Sequence, residues 1–141
     1  MLEKKGFEND APLLGSIALT ATAGFTSAAC DLLNHDGSLL IVNMGNSGDT
    51  LSASVYWELE VEDSPDNSTW TDVSDYLITG AVTGSNTGTF AKVDAAAEDS
   101  RIFTTAYLGR QRYVRIVVNK TGTHTNGTPI SSTFVRTRAR Y

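Results

Sequence analysis

An antiparallel β-sandwich is the fold class this sequence predicts, and three observations carry the prediction. Apolar residues alternate with polar ones at period two along several stretches, a period of 3.6 is nearly absent, and clusters of Gly, Asn, Asp and Ser punctuate the chain at short intervals. Roughly seven or eight short strands with polar turns suit two packed sheets, with jelly-roll connections as the leading arrangement and an immunoglobulin-like order as the alternative. The 141 residues fit one domain around a single core. That domain is expected over 16–141, after an extended N-terminal arm over 1–15.

The arm, MLEKKGFENDAPLLGS, is polar with isolated Leu2, Phe7, Leu13 and Leu14, too few apolar groups to build a core of its own. A tail of this composition gains order by lying on a partner, with those four residues as anchors, or by folding back on its own domain. Ile17–Ala23 is the first strand candidate. SLLIVN, 38–43, has four consecutive apolar residues and predicts a central strand covered on both faces. From Leu51, the set Leu51, Ala53, Val55, Trp57, Leu59 and Val61 alternates with Ser52, Ser54, Tyr56, Glu58, Glu60 and Glu62. One amphipathic strand of about 40 Å is expected there, with its acids outward.

ELEVEDSPDNSTWTDV, 58–73, continues that strand into Ser64-Pro65-Asp66-Asn67-Ser68, whose residues preset or cap a turn. It reads as a hairpin. It differs from the Asp-box of sialidase-like propellers in the position of Trp70, in Ser68 where that motif has glycine, and in occurring once; Trp70 is expected in the core or at a sheet edge. Phe90–Asp94, Ile102–Leu108, Tyr113–Asn119 and Ile130–Arg140 complete the strand candidates, separated by the turn clusters NHDG, MGNSGD, TGSNTG and THTNG. Only 95–101 looks helical.

Charge is polarised along the chain. Residues 1–100 hold all 16 acids and only Lys4, Lys5 and Lys92, while 101–141 hold the other eight basic residues. Pairing of acidic and basic strands within one sheet would neutralise most of this, and a basic surface for an acidic partner is the alternative. The C-terminus, FVRTRARY, sets Arg136, Arg138 and Arg140 on one strand face, with Val135, Thr137, Ala139 and Tyr141 opposite. Like charges about 7 Å apart repel unless acids face them. Glu58, Glu60 and Glu62, or an acidic neighbouring subunit, would serve.

A search for site chemistry returns little. Cys30 is the single cysteine, so no internal disulfide forms, and His35 and His124 do not complete a zinc set; no metal or cofactor is expected. A Cys30–His35 nucleophile lacks any mark of an orienting group or oxyanion hole. No glycine-rich loop opens a helix, as phosphate binding would require. The stretch from Lys4 to Cys30 superficially resembles a lipoprotein signal, but Glu8, Asp10, Pro12 and Gly15 interrupt it, and no apolar run of about 18 residues is present. Neither an enzyme nor a membrane-spanning chain is expected.

Taken together, the arm, the strands rich in Thr, Gly and Ala, the hairpin WELEVEDSPDNSTW (57–70) and the later stretch YLGRQRYVRIVV (107–118) resemble small virion proteins of tailed bacteriophages. The likeness is greatest to head decoration, or cement, proteins of sandwich or jelly-roll fold, and it spans roughly 15–141 as a matter of style and short patterns. The resemblance implies a structural protein on the outer surface of the capsid, made in the bacterial host cytoplasm, that stabilises the shell by bridging neighbouring major capsid protein subunits. Copies of itself, as a dimer or trimer, are the other implied partner; direct nucleic-acid binding is not. Pro12 is the only proline in the arm, whereas the best-known trimeric decoration proteins are proline-rich there. Leu2, Phe7, Leu13, Leu14, Arg136, Arg138, Arg140 and Tyr141 are the expected partner contacts. Rival readings are a carbohydrate-binding or host-attachment module using Trp70, Tyr56, Tyr107 or Tyr113 as stacking platforms, and a phage tail or neck subunit.

Overall fold

The computed structural model describes the backbone from Leu13 to Thr137 and the side chains from Thr20 to Thr137. Ten strands follow one another: β1 (Leu13–Ala21), β2 (Phe25–Thr26), β3 (Cys30–Asp31), β4 (Ser38–Met44), β5 (Tyr56–Ser64), β6 (Thr71–Asp72), β7 (Thr89–Val93), β8 (Arg101–Tyr107), β9 (Tyr113–Thr121) and β10 (Thr128–Arg136). All pairings are antiparallel. One sheet runs β1-β10-β4-β8; in the other, β9 and β5 are central, with β2 and β3 along the outer edge of β9 and β6 and β7 along that of β5.

These pairings nest. The first strand pairs with the last, β2 and β3 with β9, β4 with β8, and β5 with β7, as if one long hairpin had been rolled into two layers. This is jelly-roll connectivity, and it sets aside the immunoglobulin-like order. The inner faces meet in one core, with Leu40, Val42, Tyr107, Ile130 and Phe134 from the four-stranded sheet against Trp57, Leu59, Val61, Val93, Val114, Ile116 and Val118 from the other. β4 is internal to its sheet, as four successive apolar residues predict, with Leu40 and Val42 fully buried on the core side and Leu39 and Ile41 half-buried on the other.

Several expectations need correction. The strand expected from Leu51 begins at Tyr56, because Ser52 and Val55 exchange backbone hydrogen bonds (2.9 and 3.0 Å) around Ala53-Ser54 and turn the chain. Serine and alanine there offer little area to bury, so alternation alone does not hold a strand. Residues 95–100 form turns and Arg101 opens β8, in place of the expected helix: the Glu98 carboxylate accepts from the Asp94 amide at 3.0 Å, and Ser100 is left-handed at φ 53°. β1 starts at Leu13, not Ile17, so Leu13 and Leu14 pair with Phe134 and Thr133 within the sheet.

The largest departure concerns the acids of β5. Their face is the outer one, as alternation requires, yet Glu58 and Glu60 are buried, at 3% and 1% exposure. The loop 83–88 lies over them: the Ser85 amide donates to Glu58 Oε1 at 3.1 Å and Asn86 Nδ2 to Glu60 Oε2 at 3.0 Å, while Asn119 Nδ2 reaches Glu60 Oε2 from β9. Gly88 ends that loop at φ 77°, where a Cβ would meet the Val73 and Val61 carbonyl oxygens at 2.7 and 2.8 Å, so glycine is required.

Burial pushes the Glu60 carboxyl up to about 7; the Asn86 and Asn119 amides oppose that rise and the neighbouring Asp72 carboxylate adds to it. The folded chain therefore holds a proton on Glu60 between pH ~4.5 and ~7 that the unfolded chain has released, and stability falls as pH rises through that window. With allowance for solvent screening the loss is about 1–2 kcal/mol. Glu60→Gln, which keeps an acceptor for both asparagines, is expected to be near neutral at pH 5 and to gain about that amount at pH 8. Urea unfolding at both pH values in buffer free of divalent cations measures it; a variant that keeps the wild-type pH slope would contradict the assignment.

A candidate partner-binding end

Antiparallel nesting brings one set of loops, and both ends of the described segment, to the same end of the sandwich. Leu13 opens β1 opposite Phe134, and Arg136 closes β10 opposite Ser38, which in turn faces Tyr107. The chain therefore enters and leaves the described domain on adjacent strands of one sheet. Beside these points lie the β3–β4 loop and the β8–β9 loop, which together line a shallow cleft of ≈ 220 Å³ that includes Leu33, His35, Gly109, Arg110 and Arg112. Leu33 and Leu108 are 54% and 56% exposed there. The surface thus sets exposed leucines beside Arg110, while Asp36 also lines the cleft and Arg112 is paired with Asp31.

Each loop is held by a specific device. The Thr137 amide donates to the Gly37 carbonyl at 2.9 Å and His35 Nδ1 lies 2.7 Å from the Thr137 carbonyl oxygen, tying the start of β4 to the end of β10. Asp31 grips Arg112 bidentately, at 3.0 Å from Nε and 2.8 Å from Nη2, and the pair holds the Asp31 carboxyl below its usual range. The Tyr107 hydroxyl donates to Asp63 Oδ2 at 2.6 Å across the core and accepts from the Gln111 amide at 3.2 Å, which fixes the β8–β9 loop. Tyr107→Phe leaves the buried Asp63 carboxylate short of a donor. It is expected to cost about 2 kcal/mol in denaturant unfolding and to speed tryptic cleavage after Arg110; unchanged cleavage would show that the hydroxyl does not restrain the loop.

The opposite end contrasts with this one. There Asp49 accepts backbone amides from Thr125, Asn126 and Gly127 at 2.9, 2.9 and 2.7 Å, which lowers its carboxyl pKa. Trp57 Nε1 donates to Thr128 Oγ1 at 3.1 Å, Thr128 Oγ1 donates to Ser47 Oγ at 3.0 Å, and the Ser47 amide donates to Asp99 Oδ2 at 2.8 Å. The loops at that end are tied to one another by these bonds, with His124 Nδ1 left 3.8 Å from Asp49.

Of the expected contact residues, Leu13 and Leu14 have their backbone in β1, Arg136 lies at the end of β10, and Leu2, Phe7, Arg138, Arg140 and Tyr141 fall outside the described residues. Glu58, Glu60 and Glu62 do not face Arg136, because β5 and β10 belong to different sheets. Neutralisation within a sheet does occur, elsewhere: Glu62 pairs with Arg115 of β9, at 2.7 Å to Nε and 2.5 Å to Nη2. Leu33, Leu108 and Arg110 were missed as surface residues. Leucine in a short loop flanked by glycine or asparagine was the available signal.

The remaining candidates for chemistry do not assemble. Cys30 is buried, and burial pushes its thiol up to about 11 against the opposing hydrogen bond from Ser38, while His35 is engaged with Thr137. Of the aromatic platforms, Tyr107 is buried, and a cation lies over each of the others: Lys92 over Tyr56 at 4.3 Å, Arg112 over Tyr113 at 4.9 Å and Arg115 over Trp70 at 4.0 Å. Trp70 is half-buried beside a tight turn that Asp66 caps, accepting from Ser68 and Thr69 amides at 2.9 and 2.7 Å. The hairpin is as expected, and β6 returns along β5. Among the described residues no helix is long and apolar enough to cross a membrane.

The fold and this end define an all-β sandwich whose cleft-bearing end exposes Leu33, Leu108 and Arg110. Comparison with protein-family models, with curated proteins and with solved structures returned no match.

Proposed function

We propose that this chain is a non-catalytic structural protein of a bacteriophage virion, binding the outer surface of the capsid and bridging neighbouring major capsid protein subunits so that the shell is stabilised. The observation that carries the reading is that β1 begins and β10 ends near the cleft lined by Leu33, Arg110 and Arg112, next to which Leu108 is exposed. An arm, a basic tail and an apolar cleft at one end can engage adjacent subunits at once, and linking weak contacts on one chain raises their joint strength by effective concentration. Arginine suits such a surface because its planar fork pairs carboxylates bidentately, as Arg112 already does with Asp31. Stacked cations on Tyr56, Tyr113 and Trp70 cover the aromatics expected as glycan platforms, which leaves Tyr76, 80% exposed, as the open aromatic for that alternative.

The test is light scattering and negative-stain microscopy of the purified chain, alone and mixed with empty heads built from the capsid protein of the same genome. Saturable binding with a higher disruption temperature of the heads is expected. A chain that ignores shells would overturn the reading, and ring assembly without lattice binding would point to a tail or neck subunit instead.

A further inference from the structure

The register of β5 with β6 sets acids against one another on the outer face of the six-stranded sheet. Glu62 lies directly opposite Asp72, and Glu60 precedes Glu62 by two residues on the same face. One carboxylate oxygen from each of the three lies within 4.8 Å of the others. Like charges directly opposite across a strand pair are destabilising, so the arrangement calls for a counter-charge. Arg115 supplies one to Glu62. Among the described residues no lysine or arginine forms an ion pair with Glu60 or Asp72.

A second observation concerns the buried member of the group. Glu60 is 1% exposed, and while its Oε2 accepts from Asn86 and Asn119, its Oε1 receives no donor from the described residues and has the Asp72 carboxyl beside it. A buried carboxylate oxygen without a donor is costly and uncommon in folded proteins. With Oε2 held by both asparagines, Oε1 is the oxygen Glu60 has to offer its acidic neighbours.

We propose that Glu60, Glu62 and Asp72 form a divalent-cation site of the calcium class. The donors are all carboxylate oxygens with no histidine or cysteine in the group, which suits a hard cation over zinc. Asp72 is exposed and Glu62 partly so, and their open side leaves room for the waters that complete a shell of six to eight oxygens. Calcium tolerates such an irregular shell, whereas magnesium demands a near-ideal octahedron. Asn86 and Asn119 orient Glu60 from behind, as outer partners of a metal ligand do. The cation would tie β6 and loop 83–88 to β5, independently of the function proposed above.

The experiment uses the full chain stripped with EDTA. Calcium chloride is titrated to about 10 mM while thermal melting is followed, and terbium is titrated separately, with its emission excited through Trp70, whose ring stacks on the arginine that holds Glu62. The expected result is a rise in Tm of about 4 °C and saturable terbium emission that calcium competes away and magnesium competes poorly. Asp72→Asn, at an exposed position, is expected to melt no lower than the wild type in EDTA, since it removes a like-charge pair, and to lose both responses. Absence of a calcium shift and of saturable emission in the wild type would overturn the site, as would responses of equal size in Asp72→Asn.

Discussion

A chain lacking residues 1–11 is expected to melt within about 2 °C of the full chain and to bind its assembly about a hundredfold more weakly. The cut stops there because Pro12 precedes the strand and Leu13 and Leu14 pair with Phe134 and Thr133; a longer deletion would remove ladder hydrogen bonds and confuse loss of contact with loss of fold. The core is assembled from Ala21 onward among the described side chains, so the truncated chain keeps every buried apolar residue named above. Binding loss follows from linkage: removing one of several tethered contacts removes its effective concentration as well as its own affinity. Sedimentation of wild-type and truncated chains with empty heads, beside melting curves, separates the two effects. A truncated chain that melts normally and binds as tightly as the full one would refute the role of Leu2 and Phe7.

A companion substitution locates the rest of the surface. Arg110 is exposed in the β8–β9 loop, so Arg110→Glu leaves the core untouched and reverses a charge beside the point where both termini leave the domain. If an acidic lattice surface docks at this end, the reversal weakens binding and steepens with falling ionic strength. An equal change placed at Lys120, at the other end of β9, is expected to leave binding unchanged.

How far this surface was legible in the sequence depends on what kind of information each part requires. Period two located β8 and β9 to within a residue or two, because alternation records directly which face meets the core, and a continuous apolar run located β4 as closely. β2 and β3 were invisible for the opposite reason: two residues each carry no period, and they are held by pairing with Val117, Val118, Val114 and Tyr113 and by Ser27, whose hydroxyl accepts from the Ile116 amide at 3.0 Å. The buried acids show a subtler limit. Alternation tells which side of a sheet a residue is on, and Glu58 and Glu60 are on the outer side as predicted; that a loop some 25 residues later lies over them is not written in their spacing. That β1 begins beside the end of β10 is likewise a property of strand order. It follows at once when the first strand pairs with the last, and nothing in MLEKKGFENDAPLLGS or FVRTRARY announces the other.

Trp57→Ala is expected to be the most damaging single substitution at the sealed end, at about 3–5 kcal/mol, a large share of the ~5–15 kcal/mol that holds a domain of this size. Trp57 is fully buried in β5, its ring centroid 4.3 Å from that of His124, itself 4% exposed in the β9–β10 loop. Truncation opens a cavity that β-sheet neighbours on both sides cannot collapse to fill, because Lys120 and Val93 are fixed opposite it by the ladder. It also deletes the donor to Thr128, whose hydroxyl links Ser47 and so the β4–β5 loop to the start of β10. Trp57→Phe separates the two contributions, since it retains most of the apolar volume and loses only the donor. If the cavity dominates, the phenylalanine variant falls by about 1–2 kcal/mol and the alanine variant lowers Tm by more than about 10 °C. Equal losses in both would instead make the Trp57–Thr128–Ser47 chain the seal of that end, and chemical denaturation of the two variants side by side decides between them.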